Sequence, residues 1–178
     1  MPTVSVRRAS PADRLLVERL WLMFCHDMSE FGGQLPNPDG RFRTERLAAA
    51  FEDPNWAGYV FAGPEARPVG FAIVRDLNGP VRVLNSFFVV RSMRRAGIGL
   101  QAVAAVVAEH PGRWDVAFQE ANGAAVRFWR RVATELADGN WAEERRAVSG
   151  RSDLPPDVWI SFTTAQGSFP PFGGQPLP

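Results

Sequence analysis

The chain has 178 residues, of which 46% are hydrophobic, and it carries a formal net charge of +1 with a pI of about 8.0. This composition predicts a globular fold, and the near-neutral charge argues against a nucleic-acid partner. All 20 basic residues are arginine, which excludes a P-loop lysine and a Schiff-base lysine.

The first third of the chain predicts one strand and two helices. Val4 and Val6 alternate with polar residues, as in a strand. The sequence Ser10-Pro11-Ala12-Asp13 is typical of a helix start, with a serine cap and an acid where a capping box needs one. Apolar residues then recur at helical spacing at Val17, Leu20, Trp21, Phe24 and Met28. A loop rich in glycine and proline ends this helix, and a second short helix is predicted over residues 43–51.

The rest of the chain predicts six strands and two helices. The apolar run 81–90 indicates a buried strand, and Trp114, Val116 and Phe118 alternate along the next strand. The other segments are strands at 58–62 and 69–75, a helix at 101–110, a helix after Asn122, and strands at 141–148 and 158–163. The order β-α-α-β-β-β-α-β-α-β-β predicts an α/β fold with a mixed sheet and helices on both faces. We expect one domain over residues 1–164, followed by a Gly/Pro-rich tail at 165–178.

Cysteine content and hydropathy bear on location and partners. Cys25 is the only cysteine, so no internal disulfide can form, and a cytoplasmic location is expected. No apolar run reaches the roughly 18 residues of a membrane span. We therefore expect no membrane partner and no nucleic-acid partner, and we expect no metal site. A homodimer is left open.

The most informative segment is the arginine- and glycine-rich turn 91–100, between the strand 81–90 and the helix 101–110. Backbone N–H groups at a helix N-terminus are unpaired, and the helix dipole adds partial positive charge there. Gly97 and Gly99 have no side chain, so phosphates can approach the main chain closely. Arg94 and Arg95 add fixed charge. The segment therefore predicts an anion site.

Two motifs carry a resemblance to a known family. The pattern Arg94-x-x-Gly97-x-Gly99 resembles the acyl-coenzyme A pyrophosphate loop of the GNAT superfamily of N-acetyltransferases. The pattern Asn122-x-x-Ala125-x-x-Phe128 resembles the family's motif after its fifth strand. The two motifs lie in the family's order and on the expected elements. The likeness is strongest over residues 81–131, and the element order extends it over residues 4–163.

The resemblance implies a GNAT-like acyl-CoA N-acyltransferase fold, in which the fourth and fifth strands splay apart and acetyl-CoA lies in the gap. Main-chain groups of Phe88, Val89 and Val90 would pair with the pantetheine, and Asn122 would reach the pantetheine arm, besides capping its helix. The pyrophosphate would be held by Arg94, Arg95, Ala96, Gly97, Ile98, Gly99 and Leu100.

The helix after Asn122 carries further positions that the resemblance implicates. Phe128 and Trp129 would also belong to the cofactor site, although the position of Phe128 on an apolar stripe favours a core role. Arg127, Arg130 and Arg131 share one side of this helix. They could contact the ribose phosphate or form a solvated basic face.

The chain departs from the family's pattern at both usual catalytic positions. Trp129 stands where many members have a tyrosine that protonates the leaving thiolate, and indole N–H is a very poor acid. The fourth strand offers Asn85 and Ser86 where many members have a glutamate base. The candidate bases are therefore Glu120, Glu30 and His26. Alternatively, the amine could lose its proton to ordered water while the protein supplies positioning.

The resemblance predicts an enzyme that moves an acetyl group from acetyl-CoA to the amine of a small molecule. The alternative is an acyl-CoA-binding protein without transferase activity, which the missing tyrosine and glutamate favour. The partners would be acetyl-CoA and an amine acceptor. Asp27 and Glu30 near the expected mouth of the cleft favour a cationic acceptor.

Overall fold

The computed structural model describes residues 3–137 and 139–164, and the predicted order of helices and strands is confirmed there. The elements are β1 (Ser5–Arg8), α1 (Arg14–Gly32), α2 (Glu45–Glu52), β2 (Ala57–Ala62), β3 (Pro68–Arg75), β4 (Val81–Val89), α3 (Ile98–Ala108), β5 (Gly112–Phe118), α4 (Gly123–Leu136), β6 (Trp141–Arg146) and β7 (Asp157–Thr164). The predicted tail at 165–178 lies outside the described residues, and the division into a domain and a tail stays a prediction. Within the described ranges, no helix has the length and apolar character to cross a membrane.

The described strands form one seven-stranded mixed sheet in the order β1-β2-β3-β4-β5-β7-β6. This confirms the mixed sheet that was predicted for an α/β fold. Neighbouring strands pair antiparallel except β4 and β5, which run parallel. A parallel pair needs a crossover connection, and the segment that contains α3 supplies it. The last strand, β7, inserts between β5 and β6.

Two apolar layers sandwich the sheet. On one face α1 and α2 cover an aromatic cluster in which the ring centroids of Phe24 and Phe71 are 5.7 Å apart and those of Phe71 and Phe88 are 6.0 Å apart. Trp21 of α1 donates its indole N–H to the main-chain oxygen of Arg43 at 2.9 Å, which ties α1 to the segment before α2. On the other face α3 and α4 cover a larger cluster that includes the fully buried Trp114.

Helix α3 begins at Ile98, three residues before the predicted start at Gln101. Gly97 adopts a left-handed conformation, φ +80°, and ends the turn there. Ile98 is completely buried in the core. From the sequence, all of residues 91–100 were predicted to form the connecting turn. Because Ile98 is buried, Ile98, Gly99 and Leu100 instead belong to the first turn of α3.

The helix start at Ser10 has the predicted capping box, and a salt bridge strengthens it. The Asp13 carboxylate accepts hydrogen bonds from the main-chain N–H and the hydroxyl of Ser10, both at 2.8 Å. It also accepts two bonds of 2.7 Å from the Arg7 guanidinium. The bonds from Arg7, and then that from the Ser10 N–H, hold the pKa of Asp13 far below its usual range. These contacts join β1 to the start of α1.

We expect the substitution Asp13→Asn to lower the free energy of unfolding by about 1–3 kcal/mol at neutral pH, because it removes charge-assisted hydrogen bonds at a cap. A carboxyl whose pKa is lowered by folding stabilises above its ordinary pKa, and this contribution is lost as the pH falls. The difference between the two proteins should therefore shrink between about pH 5 and about pH 3. Urea denaturation across that range measures it.

A matched control is Asp39→Asn, since Asp39 is exposed and its carboxylate accepts only the Arg41 main-chain N–H, at 3.0 Å, among the described residues. Its effect should stay within about 0.5 kcal/mol. A deficit in Asp13→Asn that persisted unchanged at acid pH would contradict the assigned role of the ionised carboxylate.

Candidate functional site

A gap between β4 and β5 opens the sheet at its centre. The two strands pair only between Val81–Leu84 and Arg113–Val116. Beyond that point β3 is the only described strand that pairs with β4, while β5 continues to Phe118 and pairs along its length with β7. A cleft of about 1470 Å³ occupies this region. The splayed sheet expected from the sequence is therefore present.

A β-bulge in β4 marks the point of divergence. Ile73 of β3 pairs with Ser86, but the next residue, Val74, pairs with Leu84, so Asn85 is an extra residue in β4. A bulge bends the strand and increases its local twist. Asn85 lines the cleft. Because the bulge lies immediately after Leu84, the last residue of β4 that pairs with β5, we attribute the splay to it.

The main chain of β4 presents hydrogen-bonding groups to the gap. Val90 donates its N–H to Val69 of β3 at 2.8 Å, and the main-chain oxygen of Val89 accepts a bond of 2.7 Å from Nε of Arg94. Neighbouring N–H groups along a strand point to opposite sides. The N–H of Val89 therefore faces the gap, whereas that of Val90 is already used within the sheet.

The turn between β4 and α3 has two residues in the left-handed conformation, Arg95 with φ +67° and Gly97 with φ +80°. Left-handed residues in a turn orient successive N–H groups toward one concave side, which suits an anion. The first N–H groups of α3 have no intrahelical acceptors. Five residues of the predicted pyrophosphate segment line the cleft: Arg94, Arg95, Gly97, Gly99 and Leu100. Ile98 is instead in the core, and Ala96 packs against it.

Asp27 of α1 holds two of the arginines next to this turn. Its carboxylate accepts a hydrogen bond of 2.7 Å from Nη2 of Arg91 and a short one from Nη2 of Arg94, whose guanidinium also lies over the Phe88 ring. Burial alone would raise the pKa of Asp27, but the bonds from Arg94 and Arg91 outweigh it, and the pKa lies below its ordinary value. Asp27 is thus ionised and neutralised, which removes one of the two acids that favoured a cationic acceptor.

Two other arginines at this end of the cleft have no side-chain partner among the described residues. They are Arg95 in the turn and Arg127 on α4, and both are exposed. The guanidinium of Arg127 folds back beside Gly123, at the N-terminus of its own helix. By contrast, Arg130 and Arg131 form ion pairs with Glu143 and Glu135. Arg130 and Arg131 thus belong to a solvated charged face of α4, as one of the two predicted alternatives had it. Among the described residues Arg127 is the one of the three arginines that remains available to bind an anion.

The start of α4 forms the wall opposite this turn. Asn122 caps the helix, as predicted, because its side-chain oxygen accepts the N–H of Ala125 at 3.0 Å, and it also lines the cleft. The Phe128 ring stacks on Phe87 with centroids 5.5 Å apart. It also packs against Gly99 so closely that a β-carbon added there would lie 3.0 Å from the ring. Trp129 is 6% exposed, and its indole N–H is neither bonded to a described residue nor buried. Phe128 therefore closes the packing, while Trp129 can donate a hydrogen bond into the cleft.

The three candidate bases are in different surroundings. Glu30 is exposed and lines the cleft. His26 is exposed and lies outside the residues that line it. Glu120 also lies outside them and is ion-paired with Arg145, whose hydrogen bond lowers the pKa of the carboxyl. Of the three, only Glu30 lines the cleft.

The sequence did not single out two charged residues at the other end of the cleft, Arg46 of α2 and Asp157 at the start of β7. Burial raises the pKa of the Asp157 carboxyl. Arg46 is exposed, and partial desolvation among its neighbours in the cleft lowers the pKa of its guanidinium. Cys25 lines the same end, and burial raises the pKa of its thiol to about 11, so it is protonated at neutral pH. The one sequence feature that could have drawn attention to Asp157 is its position as a charged residue at the start of a strand, directly after Pro155-Pro156.

Comparisons with known proteins agree with this geometry. A family model described as the acetyltransferase (GNAT) family matches residues 20–133. Nourseothricin acetyltransferase is 15% identical, with a TM-score of 0.59 over 91% of this chain and 99% of that one. The ribosomal-protein-S18-alanine N-acetyltransferase from Escherichia coli is 11% identical, with a TM-score of 0.61 over 93% and 98%. Spermidine N-acetyltransferase from Vibrio cholerae, in complex with CoA and spermine, is 11% identical, with a TM-score of 0.62 over 90% and 95%. No curated protein matches the chain significantly in sequence.

Proposed function

The chain belongs to the GNAT family of acetyltransferases, and on that premise we propose that it moves an acetyl group from acetyl-CoA to the amine of a small molecule. The observation that carries this proposal is the gap between β4 and β5, together with the single cleft there that both the turn at Gly97 and the charged pair Arg46 and Asp157 line. The cleft exceeds the roughly 300–1,000 Å³ of an ordinary small-ligand pocket. Its size therefore suits two substrates bound together.

The residues present fit the phosphates and the pantetheine of acetyl-CoA. Arg95 and Arg127 are unpaired cations beside the N-termini of α3 and α4, where anions are favoured. The N–H of Val89 faces the gap and can bond an amide oxygen of the pantetheine. Asn122 lines the cleft at the start of α4, and its N–H₂ group remains available because its oxygen caps the helix.

In the overall reaction the amine nitrogen bonds to the acetyl carbon and the carbon–sulfur bond breaks. Starting from the ammonium form, two protons leave nitrogen; one ends on sulfur and the other in solvent. The chain's own contribution is to bind both substrates, to exclude water and to favour the neutral amine. Glu30 is the predicted base that lines the cleft, and water remains the alternative. Glu120 and His26 would have to act from outside the cleft lining.

Trp129 shapes the wall next to the reacting thioester and transfers no proton, because indole N–H is not an acid at neutral pH. We therefore expect Trp129→Phe to keep kcat within about threefold of the unchanged protein, a cost of less than 1 kcal/mol in the barrier. Steady-state kinetics with a saturating amine, together with a melting curve for each protein, measure this. A folded variant that bound acetyl-CoA normally but lost turnover would assign a chemical role to the indole N–H.

The activity itself is tested by measuring thiol release from acetyl-CoA in the presence of polyamines, amino acids, aminoglycosides and small peptides. We expect release above the hydrolytic background with at least one class of amine, and mass spectrometry of the product should show one added acetyl group. Saturable binding of acetyl-CoA with no release across the whole panel would favour the alternative, a non-catalytic acyl-CoA-binding protein.

A further inference from the structure

One arginine in the part of the cleft near Asp157, Arg46, has no side-chain partner among the described residues. Arginines on α2 and just before it, on β3 and in the segment before β7 line the cleft, and most form ion pairs with nearby carboxylates. The ion pairs are Arg43–Glu45, Arg75–Asp76 and Arg151–Asp153. The guanidinium of Arg46 has no hydrogen bond or ion pair with any described residue. Arg46 is exposed and lines the cleft, so its unpaired guanidinium can form charge-assisted hydrogen bonds with an anion that enters the cleft.

A carboxylate lies near Arg46 but does not neutralise it. Each of Arg46 and Asp157 shifts the pKa of the other, yet no charged atoms of the pair approach within 4.0 Å. Asp157 is half-buried and has no ion pair with a described residue. The two groups therefore bring a carboxylate and a guanidinium near each other in the cleft lining without a direct ion pair. A molecule with both an ammonium and a carboxylate can satisfy both charges at once.

The position of Asp157 in the sheet places its charge close to the gap. Trp159, two residues further along β7, pairs with Ala117 of β5, and β5 forms one side of the gap. Neighbouring strands lie about 5 Å apart, so Asp157 and Trp159 are about one strand spacing from β5. Trp159 and Ala117 both line the cleft. An amine bound to Asp157 would thus lie beside the gap in which the proposed function places acetyl-CoA.

Because these groups lie at the open end of the proposed acetyl-transfer site, we infer that the acceptor is an amine that also carries a carboxylate, bound through Arg46 and Asp157. The acceptor is then of the amino-acid class. Its carboxylate bonds the Arg46 guanidinium, and its ammonium bonds Asp157 before transfer. This inference rests on the proposed function for the chemistry, but the binding of the zwitterion is independent of turnover.

The test compares amino carboxylates of increasing length, and the common α-amino acids, with their carboxamides. We expect kcat/KM for the best amino carboxylate to exceed that for its carboxamide at least about tenfold, the effect of one charge-assisted hydrogen bond. Arg46→Gln should raise KM for the carboxylate at least about tenfold and leave KM for acetyl-CoA and for the carboxamide unchanged. Arg46→Lys should restore part of the loss.

The matched control is Arg41→Gln, since Arg41 precedes α2, has an exposed side chain without a partner among the described residues, and lies outside the cleft lining. It should behave as the unchanged protein.

Calorimetric titration of amino carboxylates into the CoA-saturated protein supplies a second readout. Carboxylate-dependent binding that Arg46→Gln abolishes supports the inference even if no amine is acetylated, a result that would overturn only the proposed function. Polyamines or carboxamides preferred over amino carboxylates, or an Arg46→Gln effect equal for acids and amides, would overturn the inference and leave acetyl transfer standing.

Discussion

Replacing Gly97 with valine should weaken the binding of acetyl-CoA at least about 100-fold, or about 3 kcal/mol, while the chain still folds. Gly97 has φ +80° and directly precedes the first residue of α3. A β-branched residue is strained in this left-handed region, so the turn would relax toward another conformation. The N–H groups that converge on the cleft would then separate. Isothermal titration calorimetry with acetyl-CoA measures the change.

The control for backbone strain is Gly139→Val, because Gly139 has φ +76° and open space around it. It lies in the described connection between α4 and β6, outside the cleft lining. Both variants should lose a similar amount of stability, but only Gly97→Val should lose affinity. Equal affinity in the two folded variants would mean that the turn merely connects β4 to α3.

The second large effect is expected at Gly70 of β3, where Gly70→Ala should lower the free energy of unfolding by about 3 kcal/mol or more. A β-carbon at this position would lie 2.1 Å from the main-chain oxygen of Phe88 and 2.8 Å from the Phe61 ring. The first contact is with main chain, so it can be relieved only if β3 and β4 move apart. Because β4 also borders the gap, acetyl-CoA binding should weaken together with stability. Urea denaturation and calorimetry measure the two effects.

Gly58→Ala is the matched variant in the neighbouring strand. A β-carbon there would lie 3.3 Å from the Ala9 methyl and 3.7 Å from the Ala50 methyl, so the substitution meets side chains that can shift slightly. We expect a change within about 1 kcal/mol, partly offset by the lower entropy of the unfolded chain. If Gly70→Ala were as mild as Gly58→Ala, the sheet would have more freedom at Phe88 than its geometry implies.

The features that depend on neighbouring residues were predictable from the sequence. The capping box at Ser10 and the cap at Asn122 follow from short-range chemistry, and both are present. The apolar run 81–90 forms β4, which ends at Val89. The α3 boundary was misplaced because the burial of Ile98 depends on packing against the sheet and not on the glycines beside it.

The charges of the cleft depend on distant residues, and these could not be predicted. Asp27 precedes Arg91 by 64 positions and Arg94 by 67 positions, so nothing local indicates that it neutralises them. Asp157 reaches the cleft only because β7 inserts between β5 and β6, an arrangement that alternation patterns do not encode. The motif residues Arg94, Gly97 and Gly99, by contrast, are close together in the sequence, and their spacing was enough to predict that they lie together in one turn, which lines the cleft.

The splay of β4 from β5 also affects how readily the protein aggregates and how stable its fold is. From Asn85 onward β4 pairs with no described strand on the side of the gap, so it has an edge inside the sheet and not at its rim. An unpaired edge can accept a strand from another chain, which is a route to aggregation. A ligand that fills the gap protects this edge, and a ligand at 100 times its Kd adds about 2.7 kcal/mol to folding stability. Cellular acetyl-CoA would then act as a stabilising ligand that sets the lifetime of the folded chain as well as supplying the acetyl group.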